Sequence, residues 1–160
     1  MNARTIAAMA AGVAVAFGVT DGPQASADPA VAGFGTQLQA ADTDGAGVGG
    51  YTVHDLQRSP TDVLNAPIVG NVPLAGTLWE ARTDVDAVTG SVVPAMQFFN
   101  ARAADGQSYR VLVQTFAPDL GISPLSQGGS SGGKIYFDVT GPAPTEVVYD
   151  DGQSRLTWAG

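Results

Sequence analysis

Residues 95–116, AMQFFNARAADGQSYRVLVQTF, decide the fold of this chain. Asp105-Gly106 sits between two runs dense in aromatic and β-branched residues, and Asp-Gly is a strong short-range hairpin signal. Closing a type I′ turn there pairs Ala104 with Gln107, Arg102 with Tyr109, Asn100 with Val111 and Phe98 with Val113 on one face. On the other face Ala101 meets Arg110 and Phe99 meets Leu112. Large apolar groups gather at the open end of this hairpin and polar ones at its tip. Burying each large apolar side chain stabilises by roughly 1.5–3 kcal/mol, which places the core at the base of the hairpin.

Outward from the hairpin, short alternating runs recur. The longest is residues 75–88, AGTLWEARTDVDAV, with Leu78, Glu80, Arg82, Asp84 and Asp86 on one face and Trp79, Ala81, Thr83, Val85 and Ala87 on the other. The second set is expected to be buried and the first largely solvated, as in an antiparallel sheet with one wet side. Downstream, residues 134–140 (KIYFDVT) read as a strand. Residues 145–149 and 155–158 form a last hairpin around Asp150-Asp151-Gly152.

Upstream, residues 34–43 and 51–56 are weaker strand candidates, and residues 28–33 read as loose. The glycine-rich segments 44–50 and 127–133 read as loops, the second of low complexity and mobile. Residues 59–73 hold three prolines and read as an extended connection with one helical turn near 61–64. No helix-period pattern of ordinary length follows residue 27. Seven or eight short strands without helices predict an all-β, antiparallel β-sandwich, with a small closed barrel as runner-up.

The first 27 residues have the form of a secretory signal. Arg4 gives a positive start, an apolar run extends from Ile6 to Val19, and Ala25-Ser26-Ala27 supplies the A-x-A site, so cleavage is expected between Ala27 and Asp28. The apolar run falls short of the ~20 residues that span a bilayer, so no stable membrane insertion is expected after cleavage. Residues 28–160 then form a single domain.

That domain carries six basic residues (Arg58, Arg82, Arg102, Arg110, Lys134, Arg155) against fourteen acidic ones. This balance disfavours nucleic acid and anionic lipid as partners. There is no cysteine in the 160 residues, which excludes thiol catalysis, zinc–thiolate sites and iron–sulfur clusters. A domain of this length buries about two thirds of its unfolded surface and needs no disulfide.

The residues offer little catalytic chemistry. Residues 128–134, GGSSGGK, satisfy G-x-x-x-x-G-K, but Ile135 stands where a Ser or Thr must reach Mg²⁺, and a strand follows where a helix is required. His54 is the single histidine, with no nucleophile in a strand–turn–helix setting to accompany it. Without histidine pairs or cysteines a transition-metal site lacks ligands.

Glu80, Asp84 and Asp86 share one strand face, on which i, i+2 neighbours lie about 7 Å apart. They make the alternative reading a carbohydrate- or calcium-dependent binding or hydrolase domain. Arg82 between them favours a solvated face of alternating charge instead. Asp42-x-Asp44-Gly45 begins like a calcium loop but lacks its later ligands. Trp79 and Trp158 read as core residues. No catalytic, cofactor-binding or metal-ligating residue is therefore assigned, and no cofactor is expected.

Three blocks carry a resemblance. Residues 76–81 (GTLWEA), then residues 99–102 (FNAR) with Asp105-Gly106 and residues 109–112 (YRVL), and finally residues 133–142 (GKIYFDVTGP) with Pro144-Thr145 resemble the mycobacterial secreted immunogenic protein family of immunoglobulin-like fold. The likeness runs from about residue 34 to residue 158. It implies an immunoglobulin-like β-sandwich, exported and recognised by the host immune system. It supplies no enzymatic activity, ligand or functional residue to carry over. The expected function is a secreted, non-enzymatic interaction module whose partner is a host or cell-surface protein.

Overall fold

The computed structural model describes residues 30–160 apart from residues 43, 67–69 and 114–119. The expected signal segment and its cleavage junction lie outside the described residues. From Ala30 the chain forms β1 (Ala30–Gly33), β2 (Gln37–Ala41), β3 (Gly47–Val53), β4 (Gln57–Arg58), β5 (Leu64–Ala66), β6 (Gly70–Val72) and β7 (Thr77–Val92). A single 3₁₀ turn, Met96–Phe98, leads to β8 (Phe99–Ala103), β9 (Ser108–Arg110), β10 (Leu125–Ser126), β11 (Ser130–Val139), β12 (Pro144–Asp150) and β13 (Arg155–Ala159).

Two sheets face each other. One has the order β1-β13-β12-β8-β9. The other is built on β7, whose 16 residues are paired along both edges. On one edge lie β3 and then β2, with β4 continuing that edge at Trp79 and Glu80; on the other lie β11 and β10. β10 and β11 form one ribbon antiparallel to β7, interrupted where Gly128 N–H donates to the Ala87 carbonyl and Ala87 N–H to the Gly129 carbonyl. A bridge between Val111 and Phe137 ties the end of β9 to the second sheet. β5 and β6 make a separate two-stranded sheet.

The main core lies between the sheets. Tyr51, Val53, Ala81, Val85, Phe99, Phe137, Val147, Tyr149 and Trp158 are almost wholly shielded from solvent. The aromatic rings interlock at centroid distances of 4.6 Å (Tyr51–Tyr149) and 5.2 Å at 68° (Phe99–Tyr149). Edge-to-face pairs of this kind add about 0.5–1.5 kcal/mol beyond their buried area. Trp158 also donates its indole N–H to the Thr36 carbonyl at 2.8 Å, so its one polar group is satisfied. A second, smaller cluster of Leu64, Leu78 and Tyr136 sits on the outer face of β7, with Val72, Leu74 and Leu112 against it.

Several local expectations are corrected. The Asp105-Gly106 hairpin pairs Asn100 with Arg110, Ala101 with Tyr109 and Arg102 with Ser108, one residue away from the expected register. A type I′ turn needs positive φ at both central residues, yet Gly106 alone adopts it, at 90°. Asp105 instead accepts the Gln107 N–H on its side chain, closing a three-residue loop. The shift puts Tyr109 opposite Ala101 in the core and leaves Val113 half exposed. It also places the hairpin at a sheet edge, with β7 as the centre of the molecule.

Residues 30–33 are a strand, parallel to β13, rather than loose. The segments 47–50 and 130–133 are strands rather than loops. Glycine serves close approach there. A Cβ on Gly49 would lie 2.8 Å from the Tyr51 ring, and one on Gly50 would lie 2.7 Å from the Gln37 side chain. The expected turn of helix at 61–64 is absent, because Thr61 accepts the Val63 N–H on its own hydroxyl at 3.1 Å and opens the backbone towards β5.

Candidate functional site

The outer face of β7 gathers the polar side chains that the sequence singled out. Alternation puts Glu80, Arg82, Asp84 and Asp86 on this face, and each carboxylate reaches a different neighbour. Glu80 is buried under the start of the strand, not solvated as expected. It accepts from Lys134 Nζ at 2.8 Å, Ser59 Oγ at 3.1 Å and Gln57 Nε2 at 3.4 Å. Those partners come from β11 and from the β4 segment beside β7, so Glu80 fastens both neighbours to the central strand. The hydrogen bond to Glu80 raises the Lys134 pKa above its ordinary value.

Asp84 Oδ2 lies 2.6 Å from His54 Nε2, with both side chains about one-third exposed. His54 follows β3, and its backbone N–H donates to the Arg82 carbonyl at 2.9 Å, which places the imidazole beside the carboxylate. Asp86 accepts from Gln37 Nε2 at 2.8 Å. Gln37 sits on β2 and reaches Asp86 across Gly50 of β3, where any side chain would block the path. The three acids therefore form separate inter-strand ties. Among the described residues no group of three or more histidine, cysteine, aspartate or glutamate side chains is placed to hold a metal ion.

Arg82 is different. Its backbone N–H donates to Asp55 Oδ1 at 2.8 Å, but its guanidinium has no hydrogen-bond or ion-pair partner among the described residues. It is exposed and stands opposite Lys134 on β11. With Asp84, Gly132, Gly133 and Lys134 it lines an open groove of about 360 Å³. A Cβ at Gly132 would run into Asp84 Oδ1, so the Asp84 carboxylate fills the space over that glycine.

The remaining candidates are structural. Asp44 accepts the Ala46 N–H at 2.7 Å, and Asp42 accepts the Val93 N–H at 3.2 Å, so the calcium-loop-like segment shapes a turn. Asp151 accepts from the backbone of Gln153 at 2.8 Å and Ser154 at 2.6 Å. The G-x-x-x-x-G-K segment runs through the interruption of the β10–β11 ribbon and into β11. Trp158 is in the core, and Trp79 packs partly buried against it. Sequence reasoning did not find Gln37, Gln57 or Ser59 as partners of the acids, because each lies more than twenty residues from its carboxylate and only strand pairing brings them together.

Two facing sheets, a chain that passes from β1 in one sheet to β2 in the other, and a β9 end that joins both define an immunoglobulin-like β-sandwich, antiparallel except where β1 runs parallel to β13. The chain belongs to the family described as a domain of unknown function, DUF1942, whose profile matches residues 29–158. It is 44% identical over 132 residues to immunogenic protein MPT63 of Mycobacterium tuberculosis and to immunogenic protein MPB63 of Mycobacterium bovis, covering 82% of this chain and 79% of each relative. The crystal structure of MPT63, a secreted protein of M. tuberculosis, superposes with a TM-score of 0.72, covering 84% of this chain and 100% of that one. An uncharacterized β-sandwich protein of Clostridium difficile, 11% identical, has the same fold, with a TM-score of 0.53 over 87% of this chain and 99% of that one.

Proposed function

We propose that this chain is an exported, immunogenic, non-catalytic protein that works outside the cell as a binding module for a host or cell-surface protein. The observation that carries the reading is the 44% identity, over 82% of the chain, to mycobacterial proteins named as immunogenic. The signal-like residues 1–27 support export, with maturation between Ala27 and Asp28. The site supports a non-catalytic role. Each carboxylate on β7, that of the His54–Asp84 pair included, is tied to its own inter-strand partner.

The first test is export. Full-length protein produced in a mycobacterial host should accumulate in the culture fluid with Asp28 as its N-terminus. Retention in the cell, or a different N-terminus, refutes that part. The second test is binding of labelled residues 28–160 to host-cell surfaces, with an unrelated acidic β-sandwich as control. Saturable binding that unlabelled protein competes supports the module reading. Binding no better than the control overturns it.

A further inference from the structure

We infer that the groove between β7 and β11 is a binding site for a small polyhydroxylated carboxylate, chemically a uronic-acid sugar, with Arg82 holding the carboxylate and Asp84 accepting from the hydroxyls. The site is distinct from the surface-partner reading above and stands on its own geometry.

Arg82 and Lys134 face each other directly across the two strands. Directly opposed residues have Cβ atoms about 4.5–5.5 Å apart, and like charges in that position are destabilising. The two carboxylates that flank Arg82 on its own face do not pair with it: Glu80 bonds Lys134 at 2.8 Å, and Asp84 bonds His54 through Oδ2 at 2.6 Å. A planar guanidinium is thus left open at the groove with its fork of donors free. Such a fork matches a carboxylate in two parallel hydrogen bonds.

The opposite wall is an acceptor. Asp84 uses Oδ2 for His54, while Oδ1 lies over Gly132 on the groove side. A carboxylate beside Arg82 and hydroxyl donors towards Asp84 use both walls at once. A dianionic phosphate would satisfy Arg82 but would bring its charge against Asp84. A neutral sugar would leave Arg82 unpaired. The volume of about 360 Å³ falls at the small end of ligand sites, roughly 300–1,000 Å³, and so fits one sugar ring and not a chain. Asp84 and Glu80 balance Arg82 and Lys134, which predicts modest affinity, with a Kd in the millimolar range.

The test is ligand-observed NMR titration of residues 28–160 with sodium glucuronate, glucose, acetate and inorganic phosphate at low ionic strength. Every described strand lies between Ala30 and Ala159, and the whole chain of the solved relative superposes on 84% of this one, so the titration uses residues 28–160. Glucuronate should bind saturably, and glucose and acetate should each bind about tenfold more weakly. Arg82→Gln should weaken glucuronate about tenfold, and Arg82→Lys, which keeps the charge but loses the fork, should fall between it and the unaltered protein.

Arg110→Gln, the same charge change on the other sheet, should alter binding less than about twofold. Because Arg82 is exposed, the thermal midpoints of these variants should match that of the parent. Three results overturn the site: no saturation with glucuronate, equal binding of glucose or phosphate, or an Arg82→Gln protein that is folded and binds as well as the parent.

Discussion

The two halves of the outer face of β7 carry the same alternating pattern and have opposite fates. Leu78 and Glu80 are buried, 0% and 4% exposed, while Arg82 is exposed and Asp84 and Asp86 are partly so. The first half lies beneath the satellite cluster, where Leu64 and Tyr136 cover Leu78 and Ser59 closes over Glu80. Arg82 has no such cover: the β11 residue opposite it is Lys134, whose ammonium reaches to Glu80 instead. Alternation assigns a residue to a face of a sheet. What lies over that face is set by distant parts of the chain.

The sharpest way to break this comparison is to empty the covered half. Leu78→Ala should destabilise by about 2–4 kcal/mol, as expected for a fully buried leucine replaced in a packed cluster, read as a lower urea midpoint with an unchanged slope. A loss below about 0.5 kcal/mol would mean that the satellite cluster opens in solution and that both halves are wet.

Lys134→Met comes next. It leaves Glu80, buried and still charged, with only its two neutral partners, and should cost about 1–3 kcal/mol. Glu80→Gln in the same background should recover part of the loss. The pH dependence follows from the raised Lys134 pKa. The ion pair contributes fully below the ordinary lysine range and is lost as pH rises through the raised value. The gap between parent and Lys134→Met should therefore close in strong alkali and stay constant between neutral pH and that range.

On the inner face of the same strand, Thr83 is 0% exposed and its hydroxyl has no hydrogen-bond partner among the described residues. Thr83→Val keeps the shape and removes the unpaired group, and should stabilise by about 1 kcal/mol. A destabilised variant would show that the hydroxyl is satisfied in solution. Asp86→Asn, in the open half, should change stability by less than about 0.5 kcal/mol, because Gln37 can still bond to the amide oxygen. A larger loss would place Asp86 among the residues that hold the sandwich together, as Glu80 is.

The legible part of the site was the carboxylate row, read directly from the two-residue period of residues 80–86. The burial of Glu80 was not legible, since its partners Ser59 and Gln57 belong to a proline-rich connection with no pattern of its own. Similarly, glycine-rich segments read as loops because glycine lowers strand propensity, but in β3 and β11 neighbouring side chains need the room that glycine leaves. The hairpin was correctly located and its register missed by one residue. A choice between turn types depends on φ at Asp105, and the Asp105–Gln107 hydrogen bond decided it.

The sequence by itself determined an all-β chain, the strand period of its central segment, its acidic balance and its freedom from cysteine chemistry. These are local or compositional properties, written in neighbouring residues. Tertiary structure alone decided that β7 and not the hairpin is the centre, that Glu80 is enclosed, and that Arg82 is left open. Each of these depends on strands more than twenty residues apart, and their meeting is fixed by the packing of the whole sandwich.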